Sequence, residues 1–587
     1  KDNFKFFANF KYDLEGHELY GFGNVSSRTS TGPFYFRNPH TRGGVFTKDG
    51  GKNVLVADLS SDGESGGCPA VPIVNHVPDA TALAQVASNP NCFAFIQRFP
   101  GGFAPQFSGE VEEYSFALGL KGLFNFPFLG EWEYDLSAVW GTHQTDFFIS
   151  NTVNPQLVAR QLDVPTRYNP GAYSETDLTI NADFLRLVEM PFFRNPVNLS
   201  WGVEYRQEEF DIIAGGENSW FVDPNIAKQG FAVGSNGFPG FNLRDAGASK
   251  RGAWSVYIDS EVKLSEKTEM GLALRHEKYE DFDDALDGKL ALRYEVNENV
   301  LLRASFNSGV RIPTVGQANV RNVTTEFVLG KLLDQATLPS THPISVQKGG
   351  KPLKAERSEN LSFGVVVRQG RARLSMDYYD FNVQGRIALT SPLELTDADK
   401  AQLLAEGFAD SSSFSQVRYF TNDFDTRTKG IDITYKVPLG RGNKTNFSLT
   451  ANWIDTKVTK RNKAIVDDVR VQRLEALHPK LRYSAAITHE GNEWGALVRM
   501  RYYGPASEDY LENINLTVES SNHYLFDVEM TRKLPSLGNI SLGVRNLLNK
   551  RPDRNPYSGI AGSLYPEYGP FGNGGAFYYI RIQRKMF

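Results

Sequence analysis

Two clusters of aromatic residues, both in long polar stretches, are the positions in this chain best suited to bind a small molecule. The first cluster contains Phe34, Tyr35, Phe36 and Arg37, and the second contains Trp220, Phe221 and Phe231. Stacking surfaces of this kind can capture flat or sugar-like solutes. The alternative, which we favour, is that these rings pack within their own loops or form part of the outer aromatic girdle.

The other polar residues form no pattern that indicates catalysis, a metal site or a cofactor site. The stretch 280–284 is acidic enough to suggest calcium, but it lacks the glycine and spacing of a calcium loop, so we favour a solvated hairpin tip. The nine histidines are scattered without metal-ligand spacing. No Ser-His-Asp or Cys-His arrangement can be recognised. We therefore expect no enzyme activity, no metal and no cofactor.

Cys68 and Cys92 are the only cysteines, and they lie close together within one polar stretch. Two thiols placed in this way are usually a disulfide in an oxidising compartment. Two free thiols are the alternative, and zinc lacks enough candidate ligands nearby. The sequence therefore predicts a disulfide between these two residues.

These residues must be positioned by strands in which apolar and polar residues alternate. In the stretch 254–264, Trp254, Val256 and Ile258 alternate with polar residues, so one face of the strand is apolar and the other is polar. The same alternation of apolar and polar residues recurs down to the last residues of the chain. It predicts an all-β transmembrane barrel whose outer face meets lipid and whose bore holds water.

Composition agrees with such a barrel and excludes other classes. A mean hydropathy of -0.37 is expected when only every second residue faces lipid. No apolar run reaches the length of about 18 residues that a spanning helix needs, so a helical membrane protein is excluded. The net charge of -5 is small for this size, and nothing indicates nucleic-acid binding.

Short connections alternate with long ones, as in bacterial barrels with tight periplasmic turns and extended outer loops. The longest connection is the stretch 29–108, and the whole chain 1–587 is interpreted as one barrel domain. Counting gives about nineteen strands. Because bacterial single-chain barrels normally have an even number, we expect about three further strands before Lys1 and about 22 in the intact barrel.

Several stretches resemble motifs of the TonB-dependent outer-membrane receptors. The matching stretches are LLRASFNSGVRIPT at 301–314 ("LRxSxSxGFRxP"), LKAERSENL at 353–361 ("LKPExSxN"), TKGID at 428–432 ("xxGxE"), LGVRNLLNKRP at 542–552 ("NLxNxxP"), LYGFG at 19–23 and the terminal Phe587. Each motif is of moderate specificity. Their order and spacing extend the resemblance over essentially the whole chain.

The resemblance implies an active transporter in the outer membrane of a Gram-negative bacterium. Its partner would be the TonB complex of the inner membrane, and its cargo a scarce nutrient. Iron–siderophore complexes are the family's commonest cargo, but related receptors take cobalamin, sugars, peptides or aromatic compounds. Members carry an N-terminal plug in the lumen of a barrel of about 22 strands. No plug can be recognised here, so we expect it in residues before Lys1 or in a separate polypeptide.

Arginines in these motifs could contact such a plug. Arg303, Arg311 and Arg545 lie on the water-facing side of their strands or just beyond it, where they could pair with plug carboxylates. Pairing with lumen Glu and Asp on neighbouring strands is an equal alternative. Near the outer rim, basic residues such as Arg28, Arg37 and Arg42 could bind phosphates of outer-membrane lipid or lipopolysaccharide.

Two other functional classes fit the barrel pattern. An open diffusion porin is plausible because no plug is visible in the sequence. A structural or adhesion protein would use the long loops to hold a partner, such as a surface lipoprotein, at the cell surface. Both classes share the predicted fold with the transporter, and they differ from it in what passes through the bore.

Overall fold

A computed structural model of the chain describes residues 3–127, 130–328, 331–406, 414–440, 442, 444–512, 514–534, 538–561 and 564–584, so that Phe587 lies outside the described part. Nineteen strands form one large sheet. They are β1 (Asn3–Leu14), β2 (His17–Pro33), β3 (Gln106–Phe126), β4 (Gly130–Ser150), β5 (Arg167–Val188), β6 (Val197–Ala214), β7 (Gly247–Lys263), β8 (Thr268–Tyr279), β9 (Ala285–Asn297), β10 (Val300–Arg311), β11 (Glu356–Gln369), β12 (Ala372–Gln384), β13 (Phe424–Leu439), β14 (Thr445–Arg461), β15 (Leu481–Glu490), β16 (Trp494–Tyr503), β17 (His523–Leu534), β18 (Gly538–Arg545) and β19 (Phe577–Gln583).

Each strand pairs in antiparallel fashion with the next one along the chain, from β1 with β2 to β18 with β19. This arrangement confirms the predicted all-β antiparallel barrel fold and the count of nineteen strands. Within the described residues, β1 pairs only with β2, and β19 pairs only with β18. The further strands expected before Lys1 stay a prediction.

The two faces of the sheet carry the residues that the alternation predicts. In β7, Trp254, Val256 and Ile258 are about half exposed and point outward. Tyr257, between them, points inward and donates a hydrogen bond to Asp183 of β5 (2.7 Å). Apolar side chains therefore cover the outer surface, and hydrogen-bonding side chains line the bore.

Connections alternate between a turn side and a loop side of the sheet. On the turn side, β1 and β2 are separated only by Glu15 and Gly16, and Gly16 adopts a positive φ of 94° that suits glycine. On the loop side, the longest connection is 34–105, shorter than the predicted 29–108 because β2 and β3 stay paired up to Pro33 and Gln106. The connection 462–480, between β14 and β15, is a long loop that the sequence did not reveal.

Three loops pack together on the loop side into what we term the first lobe, made of residues 34–105, 151–166 and 215–246. Its apolar core contains Phe46, Phe95, Leu157 and Ile226, all shielded from solvent. Its short strands are Thr47–Lys48, Asn53–Val54, Ala57–Asp58, Ile73–Val74, Val77–Pro78 and Cys92–Phe93, and its helices are Ala80–Ser88, Phe95–Arg98, Pro155–Ala159 (3-10), Glu217–Trp220 and Pro224–Lys228.

Two further loops, 312–355 and 385–423, form the second lobe. Its core contains Leu338, Ile344, Leu403 and Val417. Its short strands are Asn322–Val328, Lys331–Thr337, Ala388–Leu389, Leu393–Glu394, Gln416–Arg418 and Phe420–Thr421, and its helices are Val315–Asn319, Pro343–Gln347 and Asp397–Ala405. The strand Lys331–Thr337 joins segments from both loops, since it pairs with Asn322–Val328 and with Gln416–Arg418.

The later loops contain small elements of their own. These are the helix Asp468–Ala476, the strands Ala506–Asp509 and Thr517–Ser520, the 3-10 turns Tyr510–Glu512 and Ile514–Leu516, and the helix Ser558–Ala561. Within the described ranges, no helix is both long enough and apolar enough to cross a membrane.

Candidate functional site

A cleft of about 650 Å³ lies between the two lobes on the loop side of the sheet. The first lobe contributes Trp220 and Phe221, two of the residues that the sequence singled out for ligand contact. The second lobe contributes Arg321 and His342, which no sequence pattern marked. A cavity of this size, with aromatic walls and a few polar groups, has the properties of a small-molecule site.

Local contacts fix the aromatic wall of the cleft. The indole Nε1 of Trp220 donates to the carbonyl of Gly215 (2.9 Å). The guanidinium carbon of Arg160 lies 3.5 Å from the centre of the Phe221 ring, and Arg160 also pairs with Glu217 (2.8 Å). Both rings are therefore held in place before any ligand arrives, which lowers the entropy cost of binding.

Ion pairs join the two lobes beside the cleft. Asp245 of the first lobe pairs with Arg321 of the second, and both side chains are largely buried. Farther away, Arg42 Nη2 lies 3.1 Å from Asp334 Oδ1, again linking the first lobe to the second. Charged groups removed from water are costly unless they are paired, so these contacts hold the lobes in a defined arrangement.

The first predicted cluster lies elsewhere in the first lobe. Arg37 is fully buried, its Nε donates to Asn236 Oδ1 (2.7 Å), and its Nη1 donates to the carbonyl of Tyr35 (2.6 Å). Burial lowers the pKa of Arg37 to about 9. Phe36 is exposed, but neither it nor Tyr35 lines the cleft. Arg37 therefore ties two loops together in this conformation, and ligand contact at this cluster stays a prediction.

The disulfide predicted from the sequence is present. Cys68 and Cys92 are bonded, with their Cα atoms 5.5 Å apart. Cys92 lies in a short strand that pairs with Ala57–Asp58, so the bond fastens the polar stretch around Cys68 to the core of the first lobe. The disulfide limits the conformational freedom of the connection 34–105, the longest loop on the loop side.

The three motif arginines line the bore, as their strand positions predict. Arg303 donates from Nε to Asp377 Oδ1 (2.7 Å), and Arg311 Nη1 lies 3.3 Å from Glu356 Oε1. Arg545 stacks over the Tyr579 ring, with 5.6 Å between its guanidinium carbon and the ring centre. Bore carboxylates on β12 (Asp377) and β11 (Glu356) thus pair with the first two arginines, and pairing with Glu and Asp of the wall is the alternative that the sequence left open. Contact with a plug stays a prediction.

A second cavity, of about 750 Å³, lies in the bore near the turn side. Its charged lining residues are Asp13, Glu18, Glu133, Asp135, Asp183 and Lys121. Five carboxylates against one lysine make this part of the bore acidic. Sequence reasoning missed it because these residues come from separate strands, and only the pairing register brings them together.

The acidic stretch 280–284 is a short connection between β8 and β9, as the hairpin-tip interpretation predicts. Glu280 accepts a hydrogen bond from the backbone N–H of Gly252 (2.7 Å). Among the residues that the structure describes, no group of three or more His, Cys, Asp and Glu side chains could hold a metal ion.

Comparisons with known proteins agree with this architecture. Residues 85–547 match the family described as "TonB dependent receptor-like, beta-barrel". No curated protein matches the sequence.

Solved structures share the fold at low sequence identity. The siderophore receptor PirA from Acinetobacter baumannii is 12% identical, with a TM-score of 0.58 over 98% of this chain and 70% of that one. A mutant of the ferric enterobactin receptor PfeA from Pseudomonas aeruginosa, in complex with enterobactin, is 12% identical, with a TM-score of 0.55 over 98% and 80%. The FrpB iron transporter from Neisseria meningitidis is 12% identical, with a TM-score of 0.54 over 98% and 72%.

Proposed function

The chain belongs to the family of TonB-dependent receptor β-barrels, and on that basis we propose that it imports a scarce nutrient, namely an iron–siderophore complex, across the outer membrane. The matched family and the solved relatives are receptors and transporters by name. The proposed cargo follows those names, since one relative is a siderophore receptor, a second is a ferric enterobactin receptor and a third is an iron transporter.

The distribution of side chains across the wall is the observation that carries the proposal. Outward residues such as Phe306 and Phe363 are apolar and half exposed, as a lipid-facing surface requires. Inward residues form ion pairs, including Arg275 with Glu204 (3.0 Å) and Arg501 with Asp527 (2.8 Å). A hydrated bore inside an apolar cylinder suits passage of a polar solute through an outer membrane.

In this function the loop side faces the medium and the turn side faces the periplasm. The TonB complex of the inner membrane would supply the energy, as the family name implies. The cleft between the lobes would then face the medium, where a dilute solute must be captured first. Outer-membrane lipid surrounds the wall.

Uptake of radioactive iron by whole cells tests the proposal. Deletion of the gene should abolish uptake of a ferric siderophore, and the intact gene on a plasmid should restore it. Deletion of tonB in the complemented strain should again abolish uptake. Normal uptake without the gene, for every ferric siderophore tried, would reject the cargo.

Conductance separates the transporter from an open porin. The full-length protein in planar bilayers should show no large steady conductance, because a transporter must not leak small solutes. A large ohmic conductance in the intact protein, together with uptake that does not depend on TonB, would support the porin instead.

A further inference from the structure

We propose that the outer face of the wall, at the turn-side ends of β4, β5 and β6, binds the phosphate of a phospholipid in the adjoining membrane leaflet. Arg186 of β5 and Trp132 of β4 hold the phosphate, and the turn 189–196 packs against the lipid. The inference goes beyond nutrient import, because it depends on the lipid-facing wall and not on the cargo.

Arg186 and Trp132 lie on the lipid-facing side of their strands. Asp183 faces the bore, so Arg186, three positions further along β5, points outward. Asp135 also faces the bore, where it accepts a hydrogen bond from Tyr20 (2.7 Å), so Trp132, three positions before it on β4, points outward as well. Both side chains therefore belong to the surface that meets lipid.

Aromatic rings surround the two side chains on the same face. The rings of Phe184 and Trp201 stack with 4.4 Å between their centres, and Trp201 meets Trp132 edge-on at 6.3 Å. Phe126 extends this cluster to β3, since its ring lies 5.6 Å from that of Phe184. Rings gathered at one end of a barrel wall mark the level of the lipid headgroups. A lipid phosphate is therefore expected at the level of Arg186.

Both polar groups lack a partner among the residues that the structure describes. Arg186 is half-buried, and it forms no hydrogen bond or ion pair with any of those residues. Trp132 is 7% exposed, and its indole Nε1 is buried without an acceptor. A cation and an N–H donor left unpaired beside lipid are costly. A phosphate group would satisfy both, because it carries negative charge and several acceptor oxygens.

The guanidinium lies close to the wall beside the indole. A Cβ atom at Gly130, two positions before Trp132 in β4, would lie 2.7 Å from Arg186 Nη1. Glycine at this position therefore leaves room for the arginine. Glu133 pairs with Leu185 across the two strands, so Trp132 and Arg186 are next in the register. The cation and the N–H donor are thus neighbours on the outer surface.

Arg532 provides a contrast at the same rim of the wall. It lies five positions after Asp527, which faces the bore, so it points outward from β17. Its guanidinium carbon lies 4.5 Å from the centre of the Trp494 ring, and its Nη1 lies 2.7 Å from Glu493 Oε2. Arg532 thus has a carboxylate of its own, whereas the described part of the chain supplies none to Arg186. The phosphate is therefore expected at Arg186 and not at Arg532.

The turn 189–196 continues the lipid-facing surface beyond the strands. Asn195 Nδ2 donates to the carbonyl of Lys263 (3.0 Å), which fastens the turn to the end of β7. Val197 lies on the outward face of β6 and is nevertheless only 3% exposed, which indicates that the turn folds over the outer face. Phe192 is 92% exposed. An exposed ring in this position suits contact with lipid better than contact with water.

Lipid binding by the purified full-length protein tests the site. Native mass spectrometry in detergent resolves bound phosphatidylglycerol and gives the affinity of the tightest site. Diacylglycerol has the acyl chains without the phosphate, and glycerol phosphate has the phosphate without the chains. Phosphatidylglycerol should bind at least about tenfold more tightly than either of them.

Variants locate the phosphate. Arg186→Ala should weaken binding of phosphatidylglycerol by about tenfold, because a charge-assisted contact is lost. Trp132→Phe keeps a ring and removes the N–H donor, so it should weaken binding by about threefold. Arg532→Ala is the matched control and should change the affinity by less than about twofold, since that guanidinium already pairs with Glu493. Migration on a gel without heating shows that each variant is folded.

A spin label at position 192 tests the contact between the turn and the leaflet. The two native cysteines are bonded to each other, so Phe192→Cys supplies a single reactive thiol. In proteoliposomes, oxygen dissolved in the bilayer should relax this label more than a water-soluble nickel chelate does. Glu298→Cys, at an exposed position of the turn 298–299, is the control and should show the opposite preference.

The outcomes decide the site without reference to iron uptake. Unchanged affinity in Arg186→Ala, or an equal loss in Arg532→Ala, would overturn the phosphate site. Equally tight binding of glycerol phosphate would overturn the lipid as the partner and replace it by a free phosphate ester. A label at position 192 that meets the nickel chelate as readily as the label at position 298 would overturn the contact of the turn with lipid.

Discussion

The first lobe and the barrel wall place their apolar residues in opposite ways. In the lobe, Phe46 and Phe95 are fully buried in a core that resembles that of a water-soluble domain. In the wall, Phe306 and Phe363 are half exposed and point away from a bore lined by ion pairs. The lobe is therefore stabilised by apolar side chains that are buried away from water. The wall draws its stability from strand pairing and from the surrounding lipid.

The largest effect should come from the core of the lobe. Phe95→Ala removes a fully buried ring and should destabilise the lobe by about 3–5 kcal/mol. Amide hydrogen exchange in 34–105 should accelerate strongly, while exchange in the strands stays slow. Phe306→Ala on the lipid face is the matched control and should leave exchange in the lobe unchanged. Equal loss of protection in both regions would show that the lobe and the wall unfold as one unit.

Removal of the disulfide should have the next largest effect. Replacing both Cys68 and Cys92 by Ser releases a closed loop whose constraint is worth about 3 kcal/mol. Limited proteolysis should then cut within 34–105, and the barrel fragment should still run as a folded species on a gel without heating. Reduction of the wild-type protein should reproduce the same cleavage pattern. Resistance of the double variant to protease would contradict the expectation.

A single ion pair in the bore should matter much less. Arg303→Gln removes a guanidinium that is about half exposed and pairs with Asp377. Exposed pairs contribute up to about 1 kcal/mol, so the urea midpoint of barrel unfolding should shift only slightly. The effect should shrink further at high salt. A shift as large as that of Phe95→Ala would mean that the bore is drier than the side-chain exposure indicates.

The smallest effect is expected when Glu508, whose carboxyl group is buried on the loop side, is replaced by Gln. Burial raises the pKa of Glu508, and the nearby Glu567 raises it further. The protonated form is therefore favoured in the folded loop, and the ionised form carries a penalty that appears as the pH rises through the raised pKa. Glu508→Gln should slow amide exchange in 504–522 at pH 7.

That advantage of the Gln variant should fade as the pH falls below about 4.5, where the wild-type carboxyl is protonated in both the folded and unfolded states. Glu529→Gln is the control in the bore, where the carboxylate pairs with Arg581 (2.7 Å) and should not gain from neutralisation. Faster exchange in Glu508→Gln at neutral pH would contradict the expected sign.

The two regions also differ in how well the sequence predicted them. The wall could be predicted because the two-residue alternation marks each strand and its outward face directly, as in Trp254, Val256 and Ile258. The lobes have no such period. Arg37 meets Asn236 across 199 positions of sequence, and no local pattern encodes that contact.

The sequence marked residues on only one wall of the cleft, and ligand contact there stays a prediction. Trp220 and Phe221 were recognisable because aromatic rings in a long loop offer stacking surfaces to a solute. Arg321 and His342 on the facing wall were not, since their position depends on how two separate loops pack. A disulfide was predictable because only two cysteines exist, whereas the acidic cavity of the bore required the strand register.

The ends of the three loops in the first lobe lie side by side. Pro33 pairs with Gln106, Ser150 with Arg167, and Ile212 with Gly247, so every loop leaves and re-enters the wall through adjacent strands. The lobe is therefore a cassette inserted at three neighbouring hairpins. Exchange of the three loops as a set would therefore leave the strand register beneath them unchanged.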